Sequence, residues 1–140
     1  MSLVPPLWWR DTKFAEPIAL TAEQIVKLEA LAPKQENVAR LESEAQVAAR
    51  ELRAIVDMPE VTTAQIVESG HRLRDARSEL LEAQVDLVAA QRAILSIDQW
   101  IALERAVQEQ RRSQRGEERG RGRGGFGGGP GGGRPPGGGW

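Results

Sequence analysis

Five large aliphatic residues, Ile66, Leu73, Leu80, Leu87 and Ile94, follow one another at intervals of seven, with Ala76, Ala83 and Ala90 set between them. An α-helix turns once in about 3.6 residues, so a strict seven-residue spacing confines these side chains to one narrow stripe that winds slowly around the axis. The preceding segment carries two matching series: Leu31, Val38, Ala45 and Leu52, and Leu41, Ala48 and Ile55. Two such stripes in succession predict a left-handed coiled-coil seam between two consecutive helices. The connection Asp57-Met58-Pro59-Glu60 is short, so the two helices fold back antiparallel. Each is expected to run roughly 30–36 residues, or about 45–54 Å.

Helix boundaries are written in a repeated local device. Leu20-Thr21-Ala22-Glu23-Gln24-Ile25, Val61-Thr62-Thr63-Ala64-Gln65-Ile66 and Leu95-Ser96-Ile97-Asp98-Gln99-Trp100 each place a hydroxyl three residues ahead of a Gln. In each, the hydroxyl oxygen can accept from the N3 amide while the Gln side chain accepts from the cap residue's own N–H. The flanking pairs Leu20/Ile25, Val61/Ile66 and Leu95/Trp100 have the spacing of a hydrophobic staple. Helices are therefore predicted to start near Thr21, Thr62 and Ser96. Asp11 is expected to cap a further short helix that stops before Pro17, and Pro33 to kink or interrupt the first long helix near Ala32. Nothing alternates like a strand. The fold class expected is all-α: a long antiparallel hairpin with short N-terminal and C-terminal helices.

Composition divides the chain in two. Fourteen of the 15 glycines follow Arg115, and the formal charge of −1 joins an acidic body to a basic tail. Up to Gln110 there are 12 Lys/Arg against 18 Asp/Glu, and from Arg111 onward 7 Arg against 2 Glu. The expected organisation is an N-terminal segment, 1–20, a helical hairpin domain, 21–110, and a disordered Gly/Arg/Pro-rich tail, 111–140. The absence of Cys excludes disulfide scaffolds, Cys-ligated zinc and thiol nucleophiles. A single His argues against a His-rich metal site or a Ser–His–Asp relay. The carboxylates mark no acid/base couple, so no catalytic residue and no enzymatic activity are predicted.

The capping segments carry a resemblance. Leu20-Thr21-Ala22-Glu23-Gln24 matches an LTxxQ motif, and Leu95-Ser96-Ile97-Asp98-Gln99 is similar to a second copy beyond a long hairpin. Trp8-Trp9 ahead of an acid-capped segment also looks like the start of many mature members. Over about residues 7–110 the chain resembles the Spy/CpxP and heavy-metal-resistance family of bacterial periplasmic proteins. The resemblance implies an exported, four-helix, hairpin-shaped subunit whose signal peptide would precede Val4, and which forms a homodimer or higher homo-oligomer. It implies ATP-independent chaperone action on unfolded clients, or envelope-stress or metal sensing through a membrane signalling protein. Leu20, Thr21, Gln24, Leu95, Ser96 and Gln99 would be the signature residues, and their capping chemistry makes them structural.

The chain departs from the metal-sensing branch, which uses several His and Met residues. Glu68, His71 and Asp75 share one helical face and are the one candidate set for zinc, although a solvated polar face accounts for them better and no metal is assigned. In the tail, Arg119, Arg121, Arg123 and Phe126 have the residue types of RNA- or polyanion-binding segments, in which guanidinium meets phosphate and rings stack on bases. Binding of RNA or another polyanion through this Arg-Gly tail is the alternative to the periplasmic reading. Contact with anionic lipid or peptidoglycan would suit the same charge.

Overall fold

The computed structural model describes residues 4–123, with side chains through 120. A single 3₁₀ turn, Trp8–Arg10, is followed by α1 (Thr12–Ile18), α2 (Ala22–Glu29), α3 (Ala32–Val56), α4 (Thr63–Ile94) and α5 (Ile97–Arg123). There is no strand among the described residues. None of these helices is long and apolar enough to cross a membrane.

The long hairpin is α3 against α4. Lys34, at the start of α3, pairs with Asp86, near the end of α4, at 2.8 Å, which fixes the antiparallel sense. No residue of the seven-residue series is exposed, and Leu31 and Ile94 at its outer ends pack into the base. Val38, Leu41, Ala45 and Ala48 of α3 and Leu73 and Leu87 of α4 are buried, while Ile66, Leu80 and Ile94 are half-buried. Two helices alone can cover only a stripe of each other, and this seam thins toward the turn, where Val56 and Met58 lie about half exposed.

The principal core sits at the opposite end. Trp8, Trp9, Phe14, Ile18, Leu28, Leu95, Leu103 and Val107 form one buried cluster, with Leu20, Leu31, Ile94 and Trp100 packed against it. The N-terminal segment, α1, α2 and the α4–α5 junction thus make a base from which the hairpin projects. Trp8 and Trp9 meet edge to face, with ring centroids 5.8 Å apart, the arrangement their quadrupoles favour. The Trp8 indole N–H is buried without an acceptor.

Two boundaries differ from expectation and one agrees with it. The helix capped by Asp11 passes through Pro17 to Ile18 instead of stopping before it. In so short a helix Pro17 forgoes a single backbone bond, burial of Phe14 and Ile18 holds the turn, and the Ala19 N–H closes on the carbonyls of Ala15 and Glu16. Pro33 does interrupt the first long helix, separating α2 from α3, because its ring clashes with the carbonyl four residues back. The last helix continues past Gln110 to Arg123. Arg, Gln and Glu are good helix formers, and isolated Gly116 and Gly120 each weaken a helix by about 1 kcal/mol without ending it. Residues 124–140 of the tail, Phe126 among them, lie outside the described residues.

Two positions carry the less suitable small residue. Ala19 adopts φ 53°, the left-handed conformation in which Gly is favoured. Gly70 lies within α4, and a Cβ added there would meet nothing within 4 Å. Ala19→Gly and Gly70→Ala are each expected to stabilise the fold by about 0.5–1 kcal/mol. Thermal unfolding followed by circular dichroism should show both midpoints rising by a few degrees.

Candidate functional site

All three capping boxes form. Gln24 N–H donates to Thr21 Oγ1 at 3.1 Å and Thr21 N–H to Gln24 Oε1 at 3.0 Å. The Thr62/Gln65 bonds are 2.9 and 3.2 Å, and the Ser96/Gln99 bonds 3.0 and 3.2 Å. The motif glutamines therefore hold helix starts, as their local spacing predicts.

Two of these boxes are also joined to each other. Gln24 Nε2 donates to Gln99 Oε1 at 2.7 Å, and Gln99 Nε2 donates back to Gln24 Oε1 at 2.9 Å. The remaining amide hydrogens reach backbone carbonyls just ahead of the opposite cap: Gln24 to Ile94 at 3.2 Å, and Gln99 to Ile18 and Ala19 at 3.4 and 3.5 Å. Each amide oxygen thus accepts twice and each amide nitrogen donates through both hydrogens, the full capacity of the group. The arrangement is close to two-fold symmetric, and it ties the start of α2 to the start of α5. Leu20 and Leu95, the apolar residues of the two motif copies, both pack into the base.

A second polar node binds the N-terminal segment to α2. Glu29 accepts from the Trp9 indole at 2.8 Å and from Arg10 Nε and Nη2 at 2.8 and 2.7 Å. The Arg10 fork, then the Trp9 N–H, hold the Glu29 carboxyl at about 2, below its ordinary 4.5. The same contact raises the Arg10 guanidinium.

The hairpin presents grooves. One, of about 370 Å³, runs between the N-terminal segment and the base of the hairpin, with Val4, Leu7, Val38, Leu87 and Val88 as apolar lining and Arg10, Glu36 and Glu42 at its charged margins. Another, shallower and about 540 Å³, surrounds half-exposed Val47 with Arg40, Glu44, Glu51 and Arg72. On α4, Val67, Leu81 and Val85 are 46–56% exposed and fall on one helical stripe, interrupted by Arg74 and Ser78. Apolar side chains left open between charges of both signs can hold an extended apolar chain loosely.

The zinc candidates are engaged otherwise. Glu68 pairs with Arg72 at 2.8 Å and Asp75 with Arg74 at 3.0 Å, while His71 is exposed. No group of three or more His, Asp or Glu side chains able to hold a metal occurs among the described residues. Of the tail candidates, Arg119 is exposed on α5 and Arg121 and Arg123 lie on the same helix. Two features had no local signal: the glutamine pair spans 75 residues, and Glu29 lies 19 and 20 residues from its partners. Comparison with family models, curated proteins and solved structures gives no match.

Two outcomes follow from the polar nodes. Gln24→Ala and Gln99→Ala each leave a partner amide short of hydrogen bonds. Their effects on stability are expected to be non-additive, with a coupling of about 0.5–3 kcal/mol in a double-mutant cycle measured by urea unfolding. Because the Glu29 pKa is depressed on folding, its charged form contributes stability above pH 4.5 that disappears as the pH falls through about 2. The melting-temperature advantage of the native protein over Glu29→Gln should therefore be constant near neutrality and shrink to nothing over that interval.

Proposed function

We propose that the protein is a periplasmic, ATP-independent holding chaperone of the kind the LTxxQ resemblance implies, working as a homodimer. The observation that carries this reading is the surface of the hairpin. Val47, Val67, Leu81 and Val85 stand open along it, separated by Arg40, Glu44, Glu51, Arg72 and Arg74. Isolated apolar residues of this kind contribute small increments of contact to an unfolded chain, and the surrounding charges steer it without fixing one register. Weak, distributed contact suits a protein that must release its client without a nucleotide cycle.

The motif pairing supports the same reading. Leu20-Thr21-Ala22-Glu23-Gln24 and Leu95-Ser96-Ile97-Asp98-Gln99 act as two halves of one closure, which gives the second copy of the motif a structural reason to exist. Metal sensing finds less support, since Glu68 and Asp75 are occupied by arginines. The RNA reading rests largely on Arg121, Arg123 and Phe126, whose side chains lie outside the described residues.

The full chain is expected to slow aggregation of several unrelated thermally or chemically unfolded proteins without ATP, as read by light scattering. Val47→Asp and Leu81→Asp should weaken this protection several-fold. Because both side chains are about half exposed, folding stability should change by no more than about 0.5 kcal/mol. Protection of none of the clients, or equal protection by the variants, overturns the proposal. Sedimentation equilibrium tests the dimer.

A further inference from the structure

The far end of α5 has a different character from the rest of the molecule. Val107 is its last buried residue, and every residue from 111 to 120 is exposed. No apolar residue occurs between 108 and 123. At 1.5 Å per residue these positions extend the helix by about 24 Å. This arm carries six arginines against two glutamates after Gln110, whereas the body is acidic.

Four of the six arginines share one side of the arm, and Arg121 falls outside it. At about 100° per residue, Arg111, Arg115, Arg119 and Arg112 fall within one arc of about 100°. Arg105, Arg112 and Arg119 stand seven residues apart and continue that face two turns toward the base. Beyond Gln110, Glu118 falls at the edge of the arc and Glu117 on the opposite side of the helix, while Glu104, nearer the base, lies within it.

We propose that this arginine face of α5 docks the protein on anionic phospholipid headgroups, as a peripheral and purely electrostatic contact. Three observations choose that occupant. A flat surface meets one side of a helix, as the one-sided arc requires, whereas a nucleic-acid groove or a wrapped strand would bring Glu117 against phosphate. The arm from 108 to 123 carries no apolar residue, so contact made through it lies in the headgroup layer. The acidic body is repelled by the same surface, so the molecule is steered to approach with its arm first. This proposal is independent of chaperone activity.

The test uses the full chain with mixed phosphatidylglycerol–phosphatidylcholine vesicles and with pure phosphatidylcholine vesicles, scored by co-sedimentation. Binding is expected only to the anionic vesicles and should fall steeply with salt. Each basic residue at an anionic surface is worth about a fivefold gain in partitioning, so the triple variant Arg112→Gln, Arg115→Gln, Arg119→Gln should bind on the order of 100-fold more weakly. The corresponding triple Lys variant should retain binding. These side chains are exposed, so the body's thermal unfolding should be the same in all three proteins. Absent or equal binding to the two vesicle types, or undiminished binding by the Gln variant, overturns the proposal. Tighter binding to a single-stranded polyribonucleotide than to anionic vesicles at matched salt also overturns it and assigns the arc to nucleic acid.

Discussion

The reciprocal amide contact between Gln24 and Gln99 is the joint on which the architecture turns. A two-helix hairpin buries one stripe per helix and is marginal by itself. Here α3 and α4 are supplemented at one end by a base built from both ends of the folded body. That base closes only if the chain entering α2 and the chain entering α5 arrive side by side. The glutamine pair fixes this meeting with hydrogen bonds that leave no donor or acceptor of either amide unused. It also presents the preceding apolar residues, Leu20 and Leu95, to the tryptophan-rich cluster. Capping and core formation are thus one event at this point.

The parts of the fold legible in the sequence are those encoded at short range. The Thr21/Gln24, Thr62/Gln65 and Ser96/Gln99 boxes need only a spacing of three, and all three form. The heptad series ending at Ile94 needs only regularity, and its members turn inward. Pro33 acts as its lost N–H and its ring dictate. The helix end expected before Pro17 is overruled by burial of Ile18, a tertiary effect that the local rule cannot include. Glycine enrichment made Arg111 look like the start of a tail, yet the residues around Gly116 and Gly120 are strong enough helix formers to carry α5 onward. The Gln24–Gln99 and Glu29–Arg10 contacts were illegible for a more basic reason. Any exposed glutamine or glutamate can serve such a pair, and only the path of the chain decides which ones do.

The candidate site follows the same division. Sequence placed the signature residues and the charge pattern, while the structure shows which apolar side chains remain uncovered. Val47, Val85 and Ile101 stay open, whereas Trp8, Phe14, Leu28 and Leu103, of the same chemical class, are consumed by the base. The uncovered set lies on the hairpin and also on α2 and α5, where Ile25, Val26, Ile97 and Ile101 are exposed, and it is distinct from the buried residues that hold the fold together. Substitutions on one can evolve with little effect on the other.

The uneven depth of packing along the hairpin also sets its clock. Amide hydrogens near the α3–α4 turn, beneath a thin and half-open seam, can exchange with solvent through brief local fraying. Those near Leu28, Leu95 and Leu103 must await rupture of the whole base. The molecule consequently joins a tightly packed root to a thinly packed tip, and the two ends open on different timescales.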